Sequence, residues 1–299
     1  MLKEEISESF KLLQDRICSE LELIDGKSKF LEDKWSRTEG GGGRTRVISK
    51  GNIFEKGGVN FSEVHGDVSL EMKSNLNTDA ESFFATGVSI VLHPFNPRHP
   101  IIHMNVRYFE LDDNRYWFGG GIDLTPHVID PKAAKEFHLR LKEICDRYNF
   151  SFYNEYKDWA DNYFFLPHRN ESRGVGGIFF DQLVADNQIT KESIHSFCID
   201  LGDSFASIYN QQLELVDDVN FKPEELKWRN LRRGRYVEFN LVNDRGTKFG
   251  LVSGGRTESI LMSLPPDASW EYSYNPLDCK QIETQKFLQM KVDWVNYQL

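Results

Sequence analysis

Apolar residues recur along the chain in two rhythms. Ile6, Phe10, Leu13, Ile17 and Leu21 fall at three- and four-residue steps, which predicts an amphipathic helix over residues 4–24. The same spacing returns over 133–149 (Ala134, Phe137, Leu141, Ile144, Tyr148). It returns again over 190–214 (Ile194, Phe197, Leu201, Phe205, Ile208), where Thr190 is placed to cap the helix. Elsewhere the runs are short and bounded by Pro, Asp and Asn, so 87–93, 101–110 and 115–124 read as strands. Residues 235–243, 247–253 and 257–264 read as a second set of strands. They are joined by the glycine-bearing stretches Asn243-Asp244-Arg245-Gly246 and Ser253-Gly254-Gly255-Arg256. Hairpin connections imply antiparallel pairing. The expectation is an α+β fold: one domain over 1–299, with a large antiparallel β-sheet and helices packed on its faces.

Composition narrows the classes. The 299 residues carry 36 Lys+Arg against 46 Asp+Glu, a net charge of −10, with 39% hydrophobic residues. That acidity argues against broad nucleic-acid binding, which needs a basic footprint. No stretch approaches the roughly 20 apolar residues of a membrane helix, so no membrane insertion is expected. The start, Met1-Leu2-Lys3-Glu4-Glu5, is acidic and lacks an apolar core, so a cytoplasmic protein is expected. Cys18, Cys145, Cys198 and Cys279 are far apart and read as reduced thiols.

Candidate chemistry concentrates on the strands. Alternation puts His103, Asn105 and Arg107 on one face and Ile102, Met104, Val106 and Tyr108 on the other. Gly87, Ser89, Val91 and His93 share a face in the same way. Gly119-Gly120-Gly121 inside a strand-like run marks a bulge or a close approach, and Asp123 follows beside aromatics. Arg169, Arg173, Arg232, Arg233, Arg235, Arg245 and Arg256 form a local excess of cations that suggests a polyanionic ligand. Gly40–Gly43 lacks the phosphate-loop layout, and GxGxxG, GxSxG, HExxH and CxxC are all missing from the sequence. His93, His103, His138 and His168 are dispersed, and only folding could gather them. These residues describe an α+β protein with a His/Asn/Arg strand face and an arginine-lined anion site. They do not specify the reaction.

Several long, ordered segments resemble the oxygen-dependent coproporphyrinogen III oxidases. They include Trp35-Ser36-Arg37 with Gly40–Gly43, Phe54 through Asn60, His103 through Phe109, and Trp117 through Pro126. Further on come His168 through Asp181, Arg233 through Thr247, and Gly254 through Pro266. The chain departs from the family's usual residues at Tyr116, Ala160, Gln182 and Asn243. The resemblance implies that two propionates of coproporphyrinogen III are oxidatively decarboxylated to vinyls in haem biosynthesis. It implies dioxygen as co-substrate, no organic cofactor, and protoporphyrinogen IX, carbon dioxide and hydrogen peroxide as products. It implies His103 as proton donor, with Asp123 and Asp244 facing pyrrole N–H groups. Arg107, Arg245 and Arg256 would bind propionates, and Ser89, Asn105, Val106, Gly254 and Gly255 would line the site. It further implies a homodimer whose interface includes the C-terminal strands from about Tyr236, and a divalent metal (manganese or iron) on His93, His103, His138 and His168. The residues alone also fit a histidine-ligated metal oxygenase acting on another carboxylate, or a tetrapyrrole carrier without turnover.

Overall fold

The computed structural model describes every residue except 217–219, 253 and 254, with the side chains of residues 75, 249 and 252 also left aside. Helix α1 (Lys3–Asp25) opens the chain and buries Ile6, Phe10, Leu13, Ile17 and Leu21, the stripe its spacing predicts. Strands β1 (Leu31–Ser36), β2 (Gly41–Ser49) and β3 (Phe54–Asp67) follow, then the short helix α2 (Leu70–Leu76). Next come β4 (Ser82–Pro94), β5 (Ile101–Leu111) and β6 (Tyr116–Thr125). Helices α3 (Pro131–Asp146) and α4 (Phe152–Tyr163) lead through the small pair β7 (Phe165–Leu166) and β8 (Glu171–Ser172) to β9 (Gly176–Leu183). The remainder is helical: α5 (Lys191–Asp203), α6 (Phe205–Glu214), α7 (Pro223–Glu238), a π-helical turn (Phe239–Asn243), α8 (Arg245–Val252), α9 (Thr257–Leu261) and α10 (Cys279–Leu288).

Seven strands form one antiparallel sheet in the order β1-β2-β3-β4-β5-β6-β9. This is the sheet of the expected α+β fold, extended by three strands at its start. Those early strands alternate as well: Val59 and Phe61 are buried while Asn60 and Ser62 on the other side are partly exposed. On one face, Val88, Ile90 and Leu92 of β4, Met104, Val106 and Tyr108 of β5, and Phe118, Ile122 and Leu124 of β6 build the main core. Helices α1, α3, α5 and α6 supply its other half through Phe10, Phe137, Phe197, Phe205 and their neighbours. The predicted helix over 190–214 is present but breaks at Ser204, and Thr190 caps its start by accepting from the Ser193 N–H.

The second set of strands is not formed. In their place stand α7, the π-helical turn, α8 and α9; Tyr236 of α7 packs with Val91 and Ile101 on the opposite sheet face, and Ser259 of α9 meets Thr45 there. The aromatic and β-branched alternation of 236–242 mimics a strand. A helical start, Pro223 at N1 followed by Glu224 and Glu225, outweighs it. Trp228, Arg232, Tyr236 and Phe239 then recur at helical spacing and are buried. Gly234 sits where a Cβ would lie 2.5 Å from the Ser269 carbonyl, so α7 and the following segment can touch only at glycine. A dimer interface made of C-terminal strands therefore has no counterpart here, because that region holds helices. No helix among the described residues is long and apolar enough to cross a membrane.

Candidate active site

The face opposite the core is a shallow polar platform. Strand pairing lines up Thr45, Asn60, Ser89, Asn105 and Gly121 in one row across five strands. A neighbouring row holds Gly43, Ser62, Gly87, Arg107 and Gly119, and another holds Gly58, Val91, His103 and Asp123. Small side chains dominate, and α7 and α9 rest on part of this face: Tyr236 packs with Val91 and Ile101, and Ser259 Oγ lies 2.7 Å from Thr45 Oγ1. The triple glycine has two local effects: the pairing of β6 with β9 slips between Phe118 and Gly120, and Gly119 leaves room for a neighbour. A Cβ there would lie 2.6 Å from Asp181 Oδ1 and 2.8 Å from Arg107 Nε. In that space Arg107 Nη2 meets Asp181 Oδ1 at 3.0 Å, and Nη1 donates to Asn105 Oδ1 at 3.1 Å. Phe83, Phe109 and Trp117 stack beyond this corner.

His103 stands opposite Asp123 in the register, and its Nδ1 lies 2.8 Å from Asp123 Oδ1. Asp123 is also gripped by Arg173, with Nη2 on Oδ1 at 2.6 Å and Nε on Oδ2 at 3.1 Å. Burial alone would push the Asp123 carboxyl up. Arg173 and the His103 hydrogen bond outweigh that, so it is held below the usual carboxylate range. With the carboxylate ionised, the shared proton belongs on Nδ1, which leaves Nε2 as the histidine's working nitrogen. The Asp123 and Arg173 side chains are each 2% exposed, against 21% for His103. Asp123 therefore offers no open oxygen to a pyrrole N–H; its contacts run to His103 and Arg173. Removing one partner of such a buried pair typically costs about 3–5 kcal/mol. The sequence gives no spacing signal for Arg173, which lies 50 residues from its partner.

Asp244 ends the π-helical turn and caps α8. Its Oδ2 accepts from the Thr247 N–H at 2.9 Å and hydroxyl at 2.6 Å, and its Oδ1 accepts from the Tyr163 hydroxyl at 2.6 Å. Burial pushes this carboxyl up, and the Thr247 and Tyr163 hydrogen bonds bring it below the ordinary range. Arg245 is exposed at the start of α8 and forms no ion pair among the described residues. Gly254 lies outside the described residues. Gly255 donates its N–H to the Gly250 carbonyl at 2.8 Å, and Arg256 at the start of α9 pairs with Asp33 of β1. Since β1 and β5 are four strands apart, Arg256 and Arg107 mark sites about 19 Å apart across the sheet.

Three expectations need correction. Val106 is fully buried in the main core, as its position in the alternation requires, so its side chain does not line the platform. Most of the arginine excess is internal: Arg232 pairs with Glu171, Arg233 and Arg229 with Glu55, Arg169 and Arg235 with Glu238, and Arg173 with Asp123. Helix α7 carries Arg229, Arg232, Arg233 and Arg235 inward to these carboxylates, Arg173 is buried after β8, and Arg169 reaches Glu238 from an exposed turn. The four histidines are not gathered, and no group of three or more His, Cys, Asp or Glu among the described residues could hold a metal ion. His138 uses both ring nitrogens, on the Tyr153 hydroxyl and the Val175 carbonyl, and burial pushes its pKa down to about 3. His93 is buried against Tyr236 with Nε2 on the Ser263 carbonyl, and burial drives its pKa well below the ordinary value. His168 lies out at Glu238, 2.9 Å from Oε2. The donor set implied for manganese or iron does not fit this geometry.

A family model described as coproporphyrinogen III oxidase matches residues 5–294. The chain is 47% identical over 278 residues to coproporphyrinogen-III oxidase 1, chloroplastic, of Arabidopsis thaliana, covering 88% of this chain and 71% of that protein. The match spans the sheet, the His103–Asp123–Arg173 group and the helices that cover the platform, and the chain belongs to the coproporphyrinogen III oxidase family.

Proposed function

We propose that the glycine-paved face of the sheet is where this oxidase binds coproporphyrinogen III and converts two propionates to vinyls. Each conversion consumes one dioxygen and one proton. The carboxylate leaves as carbon dioxide and its bond pair becomes the new double bond, the methylene bonded to the pyrrole gives up a proton and two electrons, and dioxygen takes these with the second proton to become hydrogen peroxide. The observation carrying this reading is the row of small and polar residues flanked by cations: Arg107 at one end, Arg256 toward β1, and Arg245 near the Asp244 cap. A flat tetracarboxylate needs small side chains beneath the macrocycle, an apolar wall beside it and cations at its rim. Stacked Phe83, Phe109 and Trp117 extend the apolar part.

In this reading His103 Nε2 transfers the proton, because Nδ1 is engaged with Asp123. Ser89 and Asn105 hydrogen-bond substrate polar groups from the central row, and Asp244 faces the ring where positive charge develops. Gly254 and Gly255 would approach a propionate through their backbone. Arg107 exchanges its Asp181 contact for a substrate carboxylate. A homodimer and a cytoplasmic location belong to the same proposal.

The test is turnover of coproporphyrinogen III by purified protein in air, without air, and in air after exhaustive chelation. Protoporphyrinogen IX is expected only with dioxygen, and undiminished by chelation. Porphyrin binding without product by folded protein in air would overturn the proposal.

A further inference from the structure

We infer that Arg173 is a positioning residue for His103 and acts through Asp123. This rests on the proposed role of His103 in proton transfer. Arg173 is 2% exposed, so it does not reach the platform. Its guanidinium carbon lies 4.4 Å from the Phe164 ring, 4.8 Å from Tyr236 and 4.5 Å from Phe239. Nη1 points to Asn240 Oδ1 at 3.5 Å, and Asn240 is itself tied to the Tyr236 carbonyl. The end of α4, helix α7 and the π-helical turn thus fix the cation from three sides.

A carboxylate on a strand can rotate about its Cβ–Cγ bond. The two-pronged grip of Nη2 on Oδ1 and Nε on Oδ2 removes that freedom, as a planar guanidinium can and a point charge cannot. Oδ1 is then presented to His103 Nδ1 as an acceptor in one place. The neutral imidazole must carry its proton on Nδ1, leaving the Nε2 lone pair for chemistry. The other titratable side chains that interact with Arg173 electrostatically are Tyr236, Asp244 and His93. The arrangement recasts Asp123 as a residue that works through His103 rather than on the substrate.

The experiment compares full-length wild type, Arg173→Lys and Arg173→Met for kcat and KM on coproporphyrinogen III in air. It adds the nitrogen-15 NMR signals of the His103 ring, assigned by their loss in His103→Ala. KM is expected to stay within about twofold, while kcat falls about 10-fold in Arg173→Lys and about 100-fold in Arg173→Met. His103 is expected as the Nδ1–H tautomer in wild type and as a mixture of tautomers in Arg173→Met. Wild-type kcat in Arg173→Lys, a loss confined to KM, or an unchanged tautomer in the methionine variant would overturn the inference. If Arg173→Met fails to fold, Arg173→Lys decides, through kcat and through the His103 signals together. If wild type shows no turnover, the functional reading fails, and the NMR arm still decides whether Arg173 sets the tautomer.

Discussion

Strands β5 and β6 carry two faces built to opposite rules. On one, Met104, Val106, Phe118 and Ile122 are fully buried, and Phe118 and Tyr108 have ring centroids 4.9 Å apart. On the other, His103, Asn105 and Arg107 are partly exposed, and Gly119 and Gly121 replace side chains altogether. The first face stabilises the sheet by burying apolar area and matching shape. The second gives up that stabilisation, since a glycine contributes no side-chain packing and loosens a strand. In return it holds an ionised carboxylate and an imidazole hydrogen-bonded to it. The comparison teaches that one strand can separate folding from chemistry by alternation alone. Changes on the two faces should then move different observables.

The largest expected effect is on the core face. Phe118→Ala should lower unfolding stability by about 3–5 kcal/mol, measured by denaturant titration, with kcat of the folded fraction unchanged. A change in kcat at a temperature where the variant is folded would break the separation of faces. On the platform, His103→Ala should lower kcat about 100-fold or more with little effect on stability. Full turnover in that variant would remove His103 from the mechanism. Arg245→Ala should lose about 1.5–3 kcal/mol of substrate binding, read as a rise in KM of roughly 10- to 100-fold, with kcat nearly unchanged. A kcat loss without a KM change would place Arg245 in the chemistry instead.

The smallest effect, taken per pH unit, is on the pH dependence of stability. His138 lies in the core, and burial holds its folded pKa at about 3, far below the unfolded value of about 6.5. The unfolded chain therefore takes up a proton below pH 6.5 that the folded chain refuses. The stability associated with a neutral His138 is complete above pH 6.5 and drains away as pH falls toward 3. His138→Gln, whose amide can still serve Tyr153 and Val175, should flatten the acid limb of stability by about 1.4 kcal/mol per pH unit in that window. An unaltered limb would mean that His138 is not protonated on unfolding there.

Legibility in the sequence followed the range of the interactions involved. Helix α1 and strands β4 to β6 were readable because each is set by local periodicity against a single core. The shared face of Ser89, His103, Asn105 and Arg107 was readable for the same reason. The polar row's continuation into Thr45 and Asn60 was missed, although Val59 and Phe61 alternate with Asn60 and Ser62 in the same way. The region after 223 misled because Tyr, Val and Phe favour strands while their three- and four-residue recurrence favours a helix. The acidic first turn and Pro223 were the unused signal. The arginines misled because cations in a sequence do not announce their carboxylates: Glu55 and Arg233 are 178 residues apart, and Asp123 and Arg173 are 50 apart.

By itself the sequence determined the periodicities, hence the amphipathic helices, the central strands and the division of each strand into an apolar and a polar face. Its long ordered motifs also determined the family. The tertiary structure alone decided that α7 and α9 rest on the platform as helices, that Arg173 closes on Asp123, and that the four histidines stay apart. The physical reason is that periodicity is written into neighbouring residues. The partner of a buried charge is chosen among groups that meet only once the sheet has formed and a low-dielectric interior makes an unpaired charge too costly.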